Sequence, residues 1–287
     1  MNQQTGTEAS EASALGKVSP QERVTAHLAR ARELGRGGDG DLSAATSELE
    51  AAMTAARATP YKIEFQTRVE LALALGELYV SAGEMDKARR MLDEEAAFTE
   101  KIFQIMQATG TPAQKRAAAG GRVQVRDRAR QLALIGSPAP EIAIKDWING
   151  EPATLATLRG RVVLLEFWAT WCKPCQEMFP KLKQLDEQYR EQGLDVIALT
   201  RHYFARRDTA SSEAEELELM RSIILKHELD FRVGVAEDER TQDQYGATGM
   251  PTLALIDRTG VVRYAHFGGG EDSKFQALLA QCLAEQA

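Results

Sequence analysis

Apolar and polar positions in the first half of the chain follow the period of amphipathic helices. From Ser19 onward the pattern predicts four long helices, QERVTAHLARARELG, DLSAATSELEAAMTAAR, YKIEFQTRVELALALGELYVSAG and EMDKARRMLDEEAAFTEKIFQIMQATG. The glycine-rich residues 37–40 and Pro60 are typical of the turns between them. Residues 1–18 are rich in Ser, Ala, Glu and Gly, and we expect a flexible tail there. The pattern therefore predicts an all-α domain over residues 19–135.

The third and fourth of these helices have the spacing of a tetratricopeptide unit. The small and large packing positions of such a unit are occupied by Leu75, Gly76, Tyr79, Gly83, Ala88 and Leu92. The preceding pair of helices, with Gly40, Ala45 and Leu49, fits the spacing poorly, and a stable repeat array usually needs at least about three units. A tetratricopeptide-like domain and a small antiparallel bundle therefore both stay open.

A change of composition near residue 136 marks the predicted boundary between two domains. A basic, glycine-containing segment, QKRAAAGGRVQVRDRARQ, leads into GSPAPEI. Beyond Pro140 strand and helix patterns alternate, in the order RVVLLEFW, KPCQEMFPKLKQLDEQYREQG, DVIALT, SSEAEELELMRSIILKHEL, DFRVGV, TLALIDRTGVVRYAHF and SKFQALLAQCLAEQ. This order predicts an α/β domain over residues 136–287, with a mixed central sheet and helices on both faces.

A short hairpin is predicted before the first buried strand. Asn149-Gly150, a dipeptide typical of tight turns, lies between EIAIKDW and EPATLATL. We therefore expect these two segments to pair as the N-terminal hairpin of the α/β domain.

Composition and charge narrow the function classes. The 287 residues are 44% hydrophobic and 27% charged, which is ordinary for two globular domains, and the net charge is −7. An acidic chain does not favour the basic face that binds duplex nucleic acid, so no nucleic-acid partner is expected. No apolar run approaches the roughly 20 residues that span a bilayer. The polar start, MNQQTGTEASEASALGKVS, shows no signal peptide, so either Met1 is the native start of a cytoplasmic protein or a leader has been removed.

Two of the three cysteines lie close together in FWATWCKPC, at the end of an apolar run. This order places Cys172 at an exposed helix N-terminus, where unpaired backbone N–H groups and the helix dipole favour a thiolate. Lys173 adds positive charge, and Pro174 is compatible with a first helical turn. Such surroundings lower the pKa of a cysteine from about 8.5 into a range of about 3.5–7.5. Cys175, one turn later, is placed to attack a mixed disulfide on Cys172.

A zinc site and a purely structural disulfide are the alternatives for this pair. A structural zinc site needs four ligands, usually in two close pairs, and only Cys282 and four scattered histidines remain. A disulfide between residues 172 and 175 would close so short a loop that it constrains little of the unfolded chain. The pattern therefore favours a reactive dithiol, with no metal and no cofactor.

FWATWCKPC resembles the active-site segment of the thioredoxin superfamily, and YGATGMPTLALID, residues 245–257, is similar to the second hallmark of that family. The resemblance implies a thioredoxin fold, a cis peptide between Met250 and Pro251, and a Met250 backbone open to an extended substrate segment. The GSPAPEI segment, the hairpin and the helical insertion after DVIALT resemble the TlpA/ResA-type or redoxin branch. The implied activity is thiol–disulfide exchange.

Partners and location follow from the same resemblance. We expect protein disulfides or dithiols as substrates, an unidentified redox partner, and a protein partner on the helical domain. Members of this branch are frequently found outside the cytoplasm, which favours the periplasm if a leader has been removed. The direction of electron flow depends on the reduction potential of the pair, for which about 30 mV corresponds to about 1.4 kcal/mol.

Glu166 is a carboxyl group inside the apolar run VVLLEFW, where a charge is costly. Thioredoxins resemble this chain in carrying an acid, normally Asp, at the same distance before the first cysteine. By that resemblance Glu166 accepts the proton of Cys175 through water, and an ion pair with a nearby Lys or Arg is the alternative. Many members of the branch have Glu three residues after the second cysteine, where this chain has Met178 with Glu177 beside it.

Two tryptophans bracket the cysteine loop. We expect Trp171 to shield Cys172 and to touch substrate, and Trp168 to pack under the sheet. Core packing of both rings is the alternative.

Three further segments predict no chemistry. Cys282 shares one helical face with Phe275, Leu279 and other apolar residues, which favours a buried small hydrophobe over a resolving thiol. RHYFARR, residues 201–207, follows a strand and is expected to be a solvated loop, with substrate contact as the alternative. His266, near the end of the last strand, is expected to serve packing or to lie at the surface.

Two rival functions remain. A redoxin-type thiol peroxidase would use Thr170 and an arginine beside an activated cysteine, but the PxxxTxxC arrangement is missing. A non-catalytic interaction module would use the helical domain for recruitment and the second domain as a scaffold. The intact CxxC favours the oxidoreductase over both.

Overall fold

The structure is a computed structural model that describes residues 18–35, 40–204, 212–268 and 273–285. The chain folds into two compact units, Met1–Arg126 and Asp127–Ala287. The expected tail, residues 1–18, lies outside the described residues except for its last one.

The first unit is helical. Its helices are α1 (Pro20–Leu34), α2 (Leu42–Ala58), α3 (Phe65–Ser81), α4 (Met85–Thr109) and the greater part of α5 (Pro112–Leu134). Helix α1 begins at a capping box, in which the Ser19 hydroxyl accepts from the Glu22 N–H and the Glu22 carboxylate accepts from the Ser19 N–H. The first four helices confirm the helical pattern of the sequence.

Small residues and a buried ion pair fill the interior of the helical unit. At Gly76 a Cβ would lie 3.0 Å from Leu92 Cδ1, so this glycine allows α3 to approach α4. Arg68 Nε donates to Glu95 Oε2 at 2.7 Å, and both side chains are buried. Assignment of this unit to the tetratricopeptide repeats stays a prediction.

Helix α5 passes through the segment that the sequence presents only as basic and glycine-containing. Its two adjacent glycines each cost about 1 kcal/mol in a helix relative to alanine. At Gly121 a Cβ would lie 2.5 Å from Phe65 Cε1 and 2.8 Å from Val69 Cγ2. The missing side chain therefore lets α5 pack closely on α3, which offsets the poor helix propensity.

The two units divide within α5 rather than at a loop. The division lies between Arg126 and Asp127, N-terminal of the boundary expected near residue 136. The reason is that the last two turns of α5 pack against the sheet of the second unit. The domain limits 19–135 and 136–287 stay a prediction.

The second unit is built on a mixed six-stranded sheet. Its strands are β1 (Ile144–Asn149), β2 (Val162–Phe167), β3 (Leu194–Thr200), β4 (Arg232–Ala236), β5 (Thr252–Ile256) and β6 (Val262–Phe267), in the spatial order β1-β4-β3-β2-β5-β6. The pairs β2/β3 and β3/β4 are parallel, whereas β1/β4, β2/β5 and β5/β6 are antiparallel. Two apolar cores lie on opposite faces of this sheet. The chain therefore has the thioredoxin fold that the resemblance implies.

The predicted N-terminal hairpin is wrong. β1 pairs with β4, and residues 150–160 form no strand. Pro152 has no N–H for a strand ladder, and the residues after it close a local turn in which the Leu158 N–H donates to the Thr154 carbonyl at 3.1 Å. The Glu141 carboxylate also accepts from the Leu155 N–H at 2.8 Å. These local bonds satisfy the backbone that a hairpin would have used.

In the described part of the second unit the helices after α5 are α6 (Lys173–Tyr189), a 3-10 turn at Arg190–Gln192, α7 (Glu213–Lys226), α8 (Arg240–Gln244) and α9 (Ser273–Ala284). Helix α7 is the predicted insertion and begins at a capping box formed by Ser212 and Glu215. The short helix α8 was not predicted. Among the helices of the described ranges, none has the length and apolar character needed to cross a membrane.

Candidate redox site

The two cysteines follow the end of strand β2. All six residues of β2 are buried, and only five residues lie between the end of β2 and the start of α6. Cys172 is the N-cap of α6, and its Sγ accepts a hydrogen bond from the Cys175 N–H at 3.3 Å. The structure thus confirms that Cys172 lies at a helix N-terminus, where the backbone dipoles favour negative charge on sulfur.

Cys172 and Cys175 form a disulfide, with their Cα atoms 5.4 Å apart. The expected exposure of the helix N-terminus is wrong for Cys172, which is only 3% exposed, and Cys175 is 0% exposed. Both belong to the apolar core on one face of the sheet, together with Trp168 and Phe179. Trp171, directly before Cys172, is exposed, at 55%, as are Lys173 and Pro174 between the two cysteines.

Lys173 and Pro174 occupy the first turn of α6. The Lys173 ammonium lies 3.6 Å from the Glu177 carboxylate, one turn further along the exposed surface. Glu177 therefore offsets part of the positive charge beside Cys172. Met178 is buried, so the position at which many members of the branch carry Glu contributes only packing.

The loop that contains Pro251 lies at the same end of the strands as the cysteines. Strand β5 runs antiparallel to β2, with Thr252 opposite Phe167, so Pro251 lies just beyond the end of β2. The Met250–Pro251 peptide is cis, as the resemblance implies. The Pro251 carbonyl accepts from the Gly268 N–H at 2.8 Å, which ties the loop to the end of β6.

Tyr203 connects the two hallmark segments. Its ring meets the Trp171 ring edge to face, with the ring centroids 5.7 Å apart. Its hydroxyl donates to the Met250 Sδ at 3.4 Å and accepts from the Gln242 Nε2 at 2.6 Å. One buried side chain therefore contacts both Trp171 and Met250, the two residues expected to face substrate.

The expectation of a solvated loop at residues 201–207 is wrong for its first part. His202 and Tyr203 are buried, while residues 205–207 lie outside the described residues. The buried Glu216 carboxylate of α7 accepts from the Tyr203 N–H at 2.7 Å and from the Phe204 N–H at 3.3 Å. The inserted helix therefore holds the turn after β3. The aromatic residues Tyr203 and Phe204 shortly after a buried strand were the signal in the sequence that this turn is not wholly solvated.

Glu166 lies on the same face of the sheet as the dithiol. Its neighbours on β3 and β5 are Ala198 and Leu253, and both belong to the core that contains the two cysteines. The carboxyl is fully buried, and neither of its oxygens has a hydrogen-bond partner. Burial raises the pKa of the Glu166 carboxyl well above its usual range. The alternative, an ion pair of Glu166 with Lys or Arg, is not found within the described residues.

The remaining candidates lie where packing places them. Trp168 is buried and meets Phe179 edge to face, with a centroid distance of 5.3 Å, as predicted for a ring under the sheet. Cys282 is buried on α9, and burial raises the pKa of its thiol to about 11. This thiol is therefore protonated at neutral pH, in keeping with a packing role. His266 lies on β6 opposite Leu253.

Comparison with known proteins gives one matching family and several relatives. The Redoxin family model matches residues 134–279. The thiol-disulfide oxidoreductase ResA of Bacillus thuringiensis (strain Al Hakam) is 32% identical over 129 residues, which cover 45% of this chain and 66% of ResA. The thioredoxin-like protein YneN of Bacillus subtilis (strain 168) is 31% identical over 133 residues, which cover 46% of this chain and 71% of YneN.

One similar solved structure is a thiol-disulfide isomerase from Corynebacterium glutamicum. It is 26% identical, with a TM-score of 0.45, over 52% of this chain and 97% of the isomerase. The match spans 66% of the length of ResA of Bacillus thuringiensis (strain Al Hakam) and of Bacillus anthracis, just under two thirds. The matched family segment contains both cysteines, Glu166 and Pro251.

Proposed function

The chain belongs to the redoxin family, and from this premise we propose that it is a thiol–disulfide oxidoreductase acting on proteins. Cys172 and Cys175 would be its redox couple, cycling between a dithiol and the disulfide. The observation that carries this proposal is the disulfide at the N-terminus of α6, next to the proline loop. The exchange is reversible, and its direction depends on the potential of the partner couple.

In the proposed first step the reduced protein attacks a substrate disulfide. The Cys172 thiolate forms a bond to one substrate sulfur, and the other substrate sulfur leaves as a thiolate that takes up a proton. The N-cap position supports Cys172 as the attacking sulfur, because the Cys175 N–H, 3.3 Å from Cys172 Sγ, and the helix dipole stabilise its negative charge.

In the second step Cys175 releases the substrate. Its thiolate attacks Cys172 Sγ, the mixed disulfide breaks, and the second substrate sulfur leaves as a thiol after taking up a proton. The substrate has then gained two electrons and two protons, and the protein holds the Cys172–Cys175 disulfide. A dithiol partner would return the protein to its reduced form by the same steps in reverse.

Glu166 is proposed to carry the proton of Cys175. The carboxyl shares the buried face with Cys175, and burial, which raises its pKa well above the usual range, favours its protonated form when the disulfide is closed. When the disulfide is reduced, that proton passes to the leaving Cys175 sulfur, and oxidation returns it to Glu166. A water molecule would bridge the two groups.

Trp171, Met250 and Pro251 are proposed to receive the substrate. Trp171 is half-exposed beside the buried disulfide, and the loop that carries Met250 lies across from it. An extended protein segment would pair with the Met250 backbone by strand addition, with its disulfide above Cys172. Lys173 and Pro174 would line the same groove from the first turn of α6.

Replacement of Cys175 by Ser tests the order of the two steps. Cys175→Ser should accumulate mixed disulfides with protein substrates through Cys172, because the releasing thiol is missing. Non-reducing gel electrophoresis followed by mass spectrometry identifies the linked residue. The double variant Cys172→Ser with Cys175→Ser should form no such complexes, and Cys282→Ala added to Cys175→Ser should leave their yield unchanged.

Complexes that form equally through Cys282 would contradict the assignment of Cys172. If the wild-type protein consumes hydrogen peroxide rapidly and exchanges no disulfide, the activity is that of a thiol peroxidase. Normal biological function after loss of both Cys172 and Cys175 would favour the interaction module.

A further inference from the structure

The last two turns of α5 carry polar side chains into the interior of the second unit. Asp127 is 5% exposed, Arg128 6% and Gln131 1%. These three residues precede the matched family segment, which begins at residue 134. Burial of polar groups is costly unless they are hydrogen-bonded, so the groups that they bind indicate their role.

Asp127 and Gln131 bind the loop that leads to Pro251. The Asp127 carboxylate accepts from the Thr248 N–H at 3.2 Å and also from the Thr248 hydroxyl. Gln131 Nε2 donates to the Gly246 carbonyl at 2.7 Å. The two side chains lie four residues apart on one face of α5, so together they bind successive parts of the same loop.

Gly246 allows the loop backbone to touch the helix backbone. It has a φ of +58°, and a Cβ at this position would lie only 2.4 Å from the Asp127 carbonyl oxygen. A side chain here would therefore push the loop away from α5. The close approach and the hydrogen bonds of Asp127 and Gln131 support the same contact.

Two arginines fix the helix end on either side of this contact. Arg128 Nη1 donates to the Ala265 carbonyl of the edge strand β6 at 2.9 Å and to Gln131 Oε1 at 3.3 Å. Arg130 Nη1 donates to the Asp243 carbonyl at 3.2 Å and pairs with the Asp243 carboxylate. The helix end is thus bound to the sheet and to α8 as well as to the loop.

The loop from Tyr245 to Thr248 contacts α5 and is followed closely by Met250 and Pro251, the residues proposed to face substrate. Thr248 precedes Met250 by two residues, and Tyr245 and Ala247 are fully buried. The Tyr245 hydroxyl donates to the Pro140 carbonyl at 2.6 Å, which fixes the start of the loop. In the loop from Tyr245 to Pro251, the side chains of Asp127 and Gln131 on α5 therefore bind the residues just before Met250.

We infer that Asp127 and Gln131 are positioning residues that hold the loop Tyr245–Pro251 in the conformation that binds a protein disulfide. The inference rests on the proposed function. Strand addition to Met250 needs its backbone in one place, whereas a small disulfide needs only access to Cys172. Loss of the contact should therefore weaken the use of protein substrates and spare the sulfur chemistry.

The test compares Asp127→Ala, Asp127→Asn and Thr248→Val in the full chain. Because the Thr248 N–H and hydroxyl both lose Asp127 as their acceptor, Asp127→Ala should raise KM for a protein disulfide about tenfold. Asp127→Asn keeps one acceptor and should recover most of this loss, and Thr248→Val should resemble a partial loss. The value of kcat, the rate with a small aromatic disulfide and the reduction potential of the 172–175 couple should stay within about twofold of wild type.

Asp195→Ala is the matched control. Asp195 is a buried carboxylate of the same unit that pairs with Arg161 and Arg232. It lies at the start of β3, at the opposite end of the strands from the cysteines. Asp195→Ala should lower thermal stability without raising KM. An equal rise of KM in Asp195→Ala would overturn the inference, as would a parallel loss of activity toward the small disulfide in Asp127→Ala.

Amide hydrogen exchange gives a readout that does not depend on activity. Asp127→Ala and Thr248→Val should speed exchange at Thr248 and its neighbours about tenfold and leave β2 unchanged. Exchange at wild-type rates in both variants would overturn the inference even if disulfide exchange is intact. Absence of disulfide exchange in the wild-type protein, with faster loop exchange in the variants, would instead contradict the proposed function alone.

Discussion

Glu166 is a carboxyl group in the middle of a buried strand, with neither oxygen hydrogen-bonded in the described structure. A buried carboxylate without a partner is strongly disfavoured, so the group stays protonated well above its usual pKa. Such an arrangement lowers stability and persists where it serves a reaction. The buried Glu166 carboxyl therefore supports the proposed role of this residue as the proton carrier for Cys175, which belongs to the core on the same face of the sheet.

Glu166→Gln should change how stability depends on pH. Because the folded-state pKa is raised above the ordinary value of 4.5, the folded protein keeps a proton that the unfolded chain loses as pH rises. The free energy of unfolding of the wild type, relative to the variant, should therefore be greatest below 4.5. It should then fall by about 1.4 kcal/mol per pH unit until the folded-state pKa is reached. Urea unfolding of both oxidised proteins at several pH values measures this difference.

A difference between the two proteins that stays constant from about pH 4 to about pH 7 would contradict the raised pKa of Glu166. Glu166→Gln should also affect the reaction rate. It should slow the release of substrate from the mixed disulfide by Cys175 about a hundredfold, because the proton carrier is missing. Attack by Cys172 on a small disulfide should keep its wild-type rate in the variant.

Helix α5 illustrates at the element scale how packing overrides local propensity. Its glycines make the segment a poor helix in isolation, yet the helix extends from Pro112 to Leu134. Gly121 lies against Phe65 and Val69 of α3, whereas Gly120 is exposed and has open space where a Cβ would be. A side chain would therefore clash with α3 at Gly121 and would meet nothing at Gly120.

Alanine at these two positions should have opposite effects on stability. Gly121→Ala forces a methyl group against Phe65 and Val69 and should lower the free energy of unfolding by about 1–3 kcal/mol. Gly120→Ala removes only the entropic cost of glycine and should raise it by about 0.5–1 kcal/mol. Urea unfolding followed by circular dichroism at the helix band compares both variants with wild type. Equal effects at both positions would contradict the close packing of α5 on α3.

At the scale of the whole molecule the chain consists of two compact units, and all of the proposed redox chemistry lies in the second. The first unit holds no cysteine, since the chain contains three and they are at positions 172, 175 and 282. We keep the prediction that the helical unit binds a protein partner. Reduction of the disulfide alters bonding only within Asp127–Ala287.

Calorimetry with and without reductant should separate the two units. We expect two unfolding transitions, of which reduction shifts only the one that belongs to the second unit. A variant with both Cys172 and Cys175 replaced by Ala should not respond to reductant. A single transition that moves as a whole on reduction would contradict independent unfolding of the units.

The sequence by itself determined the first four helices, the alternation of strands and helices from β2 to α9 apart from the short α8, and the position of Cys172 at a helix N-terminus. These features depend on neighbours within a few residues: the period of apolar positions, a capping residue, and a proline in a first turn. The resemblance to a known family, whose two hallmarks stand in the expected order, also placed Met250–Pro251 at the same end of the sheet as the cysteine loop.

Only the tertiary structure decided which distant groups meet. It placed β1 beside β4 instead of in a hairpin, and it buried Cys172 in the core. It also brought Tyr203 to Trp171 and Asp127 to Thr248. Asp127 and Thr248, for example, are separated by 121 positions in the chain. The physical reason is that such a contact depends on how whole helices and strands pack, and this packing produces no pattern of apolar positions in either segment.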